Sequence, residues 1–103
     1  MINITDTVGN TGKFLVSGSP IQSQAHVPLK IAFENKTAGT NLGLFAGTAA
    51  DFAAASGGTQ LADSGGPGFQ FLAIVDAAIL NGKVLFVRRE VGAANAQFSL
   101  SIE

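Results

Sequence analysis

Few residues in this 103-residue sequence could act as a catalytic nucleophile, acid or base, and none of them stands in a motif with known chemistry. His26 is the only histidine, so a nucleophilic triad has one candidate base. It precedes a predicted strand, and we expect it to face solvent or to cap the backbone. The chain contains no Gly-x-Ser-x-Gly elbow, no Walker loop and no His-Glu-x-x-His motif.

The acidic residues give no better sign of an active site. Glycoside hydrolysis needs two carboxylates across a cleft, and a calcium loop needs several oxygen ligands. Cysteine is absent, which excludes thiolate chemistry and disulfides. We therefore expect a non-enzymatic protein without a metal or a cofactor. The carboxylates occur singly, at Asp6, Glu34, Asp51, Asp63, Asp76, Glu90 and Glu103.

Arg88 and Arg89 form, with Glu90, the one concentrated group of charges. Neighbouring residues of a strand point to opposite faces, so the two arginines should be separated by their strand. One interpretation is a strand end that frays into solvent. The other is contact with a carboxylate of a partner protein, because the planar guanidinium suits pairing at interfaces.

All eight aromatic residues are phenylalanines. Phe45, Phe52 and Phe69 lie near predicted loops, and we expect them to contact a partner. The other five lie in predicted strands and should be in the core: Phe14, Phe33, Phe71, Phe86 and Phe98.

Charge and composition exclude other classes of protein. Charged residues make up 13% of the chain against about 25% in a typical domain, while hydrophobic residues reach 47%. With a net charge of −1, we expect no binding to nucleic acid. The longest apolar run, residues 69–80, is interrupted by Gln70 and Asp76 and is shorter than the roughly 20 residues of a membrane-spanning helix. We therefore expect no membrane partner either.

Alternation of apolar and polar residues predicts an all-β fold. It is clearest at Val27, Leu29, Ile31 and Phe33, and again along the C-terminal strand from Phe98 to Ile102. Shorter strands are predicted at Ile2–Ile4, Phe14–Val16 and Leu42–Leu44. Residues 49–55 have the composition of one short helix, which ends before Gly57 and Gly58.

Asn81-Gly82 predicts a type I′ turn within a β-hairpin from Phe69 to Arg89. Both arms of this hairpin, residues 71–75 and 84–87, are apolar on both faces. We therefore expect both to be covered on two sides, by the second sheet on one side and by a loop, a second subunit or a host assembly on the other. In total, about seven or eight short strands predict a single antiparallel β-sandwich over residues 1–103, of jelly-roll or immunoglobulin-like type. Missing tryptophan and cysteine argue against an antibody-type domain.

The N-terminal residues carry neither the basic nor the apolar region of a signal peptide, so we expect synthesis in the cytoplasm. We also expect residues 1–5 to form an N-terminal arm. Met1, Ile2 and Ile4 in this arm would add a strand to the sheet edge of a neighbouring protein.

Two classes of protein resemble this chain. Its small size, lack of cysteine, β-rich pattern and low charge are similar in character to bacteriophage capsid decoration or cement proteins. Four segments also resemble the jelly-roll modules attached to secreted bacterial peptidases, and they support a β-sandwich. These segments are residues 41–47, 61–63, 82–88 and 98–102.

The first resemblance implies a structural component of a virion, made in the host cytoplasm, that binds the major capsid or another shell protein and further copies of itself. A surface with few charges can dock with little desolvation cost. The second implies an extracellular module that binds carbohydrate or assists a peptidase. We favour the virion component and keep the extracellular module as the alternative.

Overall fold

The computed structural model describes residues 2–22, 25–63, 70–92 and 95–103. Within these residues it contains eight strands, one α-helix and one 3₁₀ helix. In chain order they are β1 (Ile2–Val8), β2 (Lys13–Leu15), β3 (Pro28–Asn35), β4 (Asn41–Gly47), α1 (Ala49–Ala54), β5 (Thr59–Asp63), β6 (Gln70–Asp76), the 3₁₀ helix (Ala77–Leu80), β7 (Val84–Val91) and β8 (Ala96–Ile102).

The strands form two antiparallel sheets, with the orders β1-β8-β3-β6 and β2-β7-β4-β5. We call them sheet A and sheet B. Four nested pairs, β4 with β5, β3 with β6, β2 with β7 and β1 with β8, make one long antiparallel ribbon that folds over itself. This is jelly-roll topology. The predicted antiparallel β-sandwich is confirmed, and its strand order is the jelly-roll form of the prediction.

The core lies between the two sheets and follows the alternation in the sequence. In β3, Ile31 and Phe33 are buried, while Lys30, which precedes them, is exposed. In β8, Phe98, Leu100 and Ile102 are buried, which confirms the predicted C-terminal strand. Of the five phenylalanines predicted to be in the core, Phe33, Phe86 and Phe98 are fully buried and Phe14 packs edge-on against Phe98, with ring centroids 5.3 Å apart.

The predicted hairpin is wrong, because its two arms belong to different sheets. β6 pairs with β3 in sheet A, whereas β7 pairs with β4 and β2 in sheet B. Between them, the Asp76 side chain accepts a hydrogen bond from the Ala78 backbone and begins the 3₁₀ helix. Asn81 has φ −62° and ψ 124° and Gly82 has φ 72°, which is type II geometry. The turn therefore directs the chain from one sheet to the other.

The predicted N-terminal arm is also wrong for its described part. Ile2 and Ile4 lie in β1, which pairs with β8 of the same chain and places Ile2 opposite Ile102 and Ile4 opposite Leu100. Both isoleucines are half-buried against the core. Alternation predicts a strand, but it does not say whose sheet the strand joins. Met1 lies outside the described residues.

The short helix is confirmed at Ala49–Ala54. Thr48 accepts a hydrogen bond from the Asp51 backbone at 3.1 Å, and the Asp51 carboxylate accepts one from the Thr48 backbone at 3.0 Å. This capping box fixes the first turn, and Ala55 ends the helix in the left-handed conformation. Among the described residues, no helix has the length and apolar character needed to cross a membrane.

The connection between β3 and β4 crosses from sheet A to sheet B around a buried amide. Asn35 is fully buried and donates to the Thr40 carbonyl, while its side-chain oxygen accepts from the Thr37 backbone at 3.0 Å. The Thr37 hydroxyl in turn accepts from the Gln97 backbone of β8 at 2.9 Å. The Asn35 side chain therefore satisfies the turn, and the Thr37 side chain that it positions anchors the turn to β8.

Replacing Asn35 should destabilise the fold without any change in the outer faces. We expect Asn35→Ala to lower the free energy of unfolding by about 1–3 kcal/mol, because it leaves buried backbone groups without partners. The matched control is Asn3→Ala, an exposed asparagine in the same sheet, with an expected change within about 0.5 kcal/mol. Urea denaturation measures both, and equal effects of the two substitutions would contradict the anchoring role.

Candidate interaction face

The outer face of sheet B is covered by the chain itself. Helix α1 lies over it and places Phe52 edge-on to Phe86, with centroids 5.6 Å apart, while Phe45 stacks on Phe86 at 5.7 Å. Val84 completes this second apolar cluster. Phe45 is only 4% exposed. The predicted partner contacts Phe45 and Phe52 are therefore packed within the chain, and Phe69 lies outside the described residues.

Two cations hold this cover in place. The Arg88 guanidinium carbon lies 3.8 Å from the centroid of the Phe45 ring, and its Nη1 donates to the Gly57 carbonyl at 3.1 Å. The Lys13 ammonium lies 4.9 Å from the Phe52 centroid and donates to the Ala53 carbonyl at 2.6 Å. Cations above aromatic rings are attracted to their negative faces. Arg88 thus stabilises the junction between sheet B and the segment after α1.

Arg89 points to the other side of β7, as the alternation predicts. Its Nη1 donates to the Gly9 carbonyl at 3.2 Å, and its backbone donates to the Gly12 carbonyl at 2.8 Å. Both arginines are half-buried, so the interpretation of a frayed strand end is wrong. The structure gives each arginine a contact within the chain, and Arg88 also interacts electrostatically with the Glu90 carboxylate.

The acidic residue of this group, Glu90, also has an intramolecular partner. Its Oε1 accepts a hydrogen bond from Gln60 Nε2 at 2.6 Å, across the surface of Gly43. Partial burial, followed by the nearby charge of Asp63, raises the pKa of the Glu90 carboxyl. A β-carbon at position 43 would collide with Glu90, Gln60 and Phe45, so a larger residue there would have to displace these side chains.

The outer face of sheet A, which we call the open face, has no such cover among the described residues. Leu72 is 70% exposed and Ile74 is 68% exposed, and both lie on β6 with outward-facing side chains. Ala32 of β3 lies opposite Leu72. The described residues therefore do not supply the second cover expected for this arm, and its cover by a loop, a second subunit or a host assembly stays a prediction. Phe71, predicted to be in the core, faces inward at the rim of the sheet and remains 37% exposed.

An open depression of about 690 Å³ lies beside these residues. Leu72, Ile74 and Ala32 supply its apolar part. Lys30 and Glu103 lie on neighbouring strands at its border, where their backbones exchange two hydrogen bonds of 3.0 Å. Exposed apolar side chains with polar neighbours are typical of a protein–protein contact. Sequence reasoning missed this face because the alternation in residues 71–75 is hidden by apolar residues at every position.

Comparisons of this chain with protein-family models, curated proteins and solved structures found no match. What the open face can bind is therefore inferred from its own side chains. Among the described residues, no three histidine, cysteine, aspartate or glutamate side chains form a group that could hold a metal ion.

One ion pair lies at the end of β6, next to the open face. His26 Nδ1 is 2.8 Å from Asp76 Oδ2, and the two side chains are 85% and 54% exposed. The predicted solvent-facing position of His26 is confirmed. The hydrogen bond and charge of Asp76 raise the pKa of His26, while the hydrogen bond from His26 and that from the Ala78 backbone lower the pKa of Asp76.

These shifts predict a pH window for the stability contributed by the pair. Because folding raises the pKa of His26 above 6.5, this contribution is lost as the pH rises through the folded-state value. Because folding lowers the pKa of Asp76 below 3.8, it is also lost as the pH falls through that lower value. The pair therefore stabilises the fold most between pH 3.8 and 6.5.

Two variants test this window. The loss of stability caused by His26→Asn should be larger at about pH 5.5 than at about pH 8.5. Asp76→Asn keeps an acceptor for the Ala78 backbone but removes the charge, so an NMR titration should show the His26 pKa returning toward 6.5. An unchanged His26 pKa in this variant would contradict the pairing.

Proposed function

We propose that this chain is a non-enzymatic structural component of a virus particle, a bacteriophage capsid decoration protein that binds the major capsid shell through its open face. The observation that carries the proposal is the outward pair Leu72 and Ile74, at 70% and 68% exposure in the middle of a regular strand. Burying such side chains on a partner stabilises the contact by roughly 1.5–3 kcal/mol each.

The electrostatics of the open face favour a large protein partner. Its charged side chains have both signs and flank the apolar pair, at Lys30, Glu34, Asp76 and Glu103. A protein partner can pair with charges of both signs while it buries the apolar pair. The low charge of the whole chain, 13% of residues, supports the same partner class.

The jelly-roll topology supports the proposal by analogy, since viral capsid domains use this fold. In our mechanism, each copy lies across a seam between shell subunits and adds apolar contact to both of them. The contact comes from the open face of sheet A. The N-terminal strand does not contact the shell in this mechanism, because β1 is paired with β8 of the same chain.

Lectin domains also use the jelly roll, so the alternative is an extracellular binding module. Glycan recognition generally uses flat aromatic rings that stack on sugars. Among the described residues, the outward positions of sheet A carry no aromatic side chain. We therefore favour a protein surface as the ligand of the open face.

The test replaces the two exposed apolar side chains. We expect Leu72→Ser with Ile74→Ser to reduce the number of copies on purified virus particles at least about tenfold, since a loss of about 1.4 kcal/mol already gives that factor. Quantitative mass spectrometry of gradient-purified particles from the producing culture measures the copies. The circular dichroism spectrum and melting temperature should stay close to those of the unsubstituted protein.

Val91→Ser is the matched control. Val91 is 58% exposed on β7 of the other sheet, so its replacement removes a similar apolar group from outside the open face. Copy number should stay unchanged in this variant. Purified particles that lack the chain, or a full complement of the double variant on them, would overturn the proposal. Binding of glycans to the open face would favour the extracellular module.

A further inference from the structure

The outer edge of β6 lacks the features that keep sheet edges from pairing. Its seven residues carry no charge before Asp76 at the end and no proline. Its register with β3 is unbroken from the pair Pro28 and Asp76 to the pair Glu34 and Gln70, so the strand has no bulge. Charges, prolines, bulges and short strands are the usual protection of an edge. No described residue pairs with this edge.

The three other edge strands each carry such protection. β2 is only three residues long and contains Lys13. β1 is as long as β6, but it carries the charge of Asp6 at an inward-facing position opposite Phe98. β5 is short, and its register with β4 shifts between Leu44 and Phe45. The β6 edge is therefore the one described edge that is both long and chemically open.

We propose that β6 pairs with β6 of a second copy of this chain, antiparallel, about a two-fold axis at Ala73. The sequence of β6 is self-complementary in this register. Leu72 meets Ile74 of the second copy, Phe71 meets its Val75, and Gln70 meets its Asp76. Apolar residues thus face apolar residues, and each carboxylate faces an amide.

Neighbouring registers that keep the two-fold axis are worse. An axis at Leu72 places Gln70 opposite Ile74, and an axis at Ile74 places Leu72 opposite Asp76. Both set an apolar side chain against a polar one and leave part of the strand without a partner. Only the axis at Ala73 pairs all seven residues of β6.

The dimer has one continuous eight-stranded sheet with the two β6 strands at its centre. Leu72 and Ile74 of both copies form a single strip of four apolar side chains across the axis. This inference does not rest on docking to a shell, because pairing uses the edge of sheet A and docking uses its open face.

The experiment compares two charged double variants by sedimentation velocity over a hundredfold range of concentration. L72E/I74E sets like charges opposite each other across the axis, whereas L72K/I74E sets opposite charges there. In both variants the residue at position 74 lies opposite Lys30 of its own chain, so the variants differ only at position 72. Both remove the apolar strip, and both should lose shell docking.

We expect the unsubstituted chain and L72K/I74E to sediment as dimers and L72E/I74E as a monomer. The dissociation constants of the two variants should differ by about tenfold or more, and the difference should shrink in high salt. A monomeric unsubstituted chain at every concentration, or equal association of the two variants, overturns the dimer. Retained dimerisation with lost docking separates this inference from the proposed function.

Cysteine crosslinking tests the register in the same protein, which has no native cysteine. Mixing the single variants L72C and I74C should give a covalent dimer faster than either variant alone, because directly opposed positions have the closest β-carbons. Faster crosslinking of L72C with itself would place the axis at Leu72 and contradict the proposed register.

Discussion

The strands of this chain carry apolar side chains on their outer faces as well as in the core between the sheets. What covers each outer face therefore determines which apolar side chains stay exposed. Val84, Leu85, Phe86 and Val87 are buried on both sides of sheet B. Leu85 and Val87 belong to the main core, while Val84 and Phe86 lie under Phe52 of α1. The helix, with Lys13 and Arg88 attached to it or to the following loop, is the cover that makes this possible.

Sheet A receives no equivalent cover from the described residues. Because sheet A lacks a cover from these residues, Leu72 and Ile74 on its edge strand are exposed and do not belong to a second apolar cluster. Face and edge offer different contacts, because the face presents apolar side chains and the edge presents backbone donors and acceptors. The proposed docking to a shell uses the apolar side chains of the face, and the proposed dimer uses the backbone groups of the edge. Both give the uncovered strand a partner.

The sequence predicted correctly the strands that have one apolar and one polar face. It did not predict the orientation of strands that are apolar on both faces. In β3 and β8 every second residue is apolar, so both strand and inner face could be read directly. In residues 71–75 every residue is apolar, and no pattern shows that Leu72 and Ile74 face outward. Asn81-Gly82 is compatible with both type I′ and type II turns. The chain forms a type II turn here, directly after the 3₁₀ helix that Asp76 begins. The capping box at Thr48 and Asp51 was a readable signal for α1, but nothing local shows that α1 covers Phe86.

One sheet face is closed by the chain and the other is open. NMR of methyl-labelled protein with a soluble paramagnetic probe distinguishes the two faces, because line broadening reports the approach of the probe to each methyl group. In dilute protein we expect strong broadening for Leu72 and Ile74, and little for Val84 and Leu85 on the two sides of sheet B. Broadening of Leu72 and Ile74 as weak as that of Leu85 would show instead that the chain itself covers both faces.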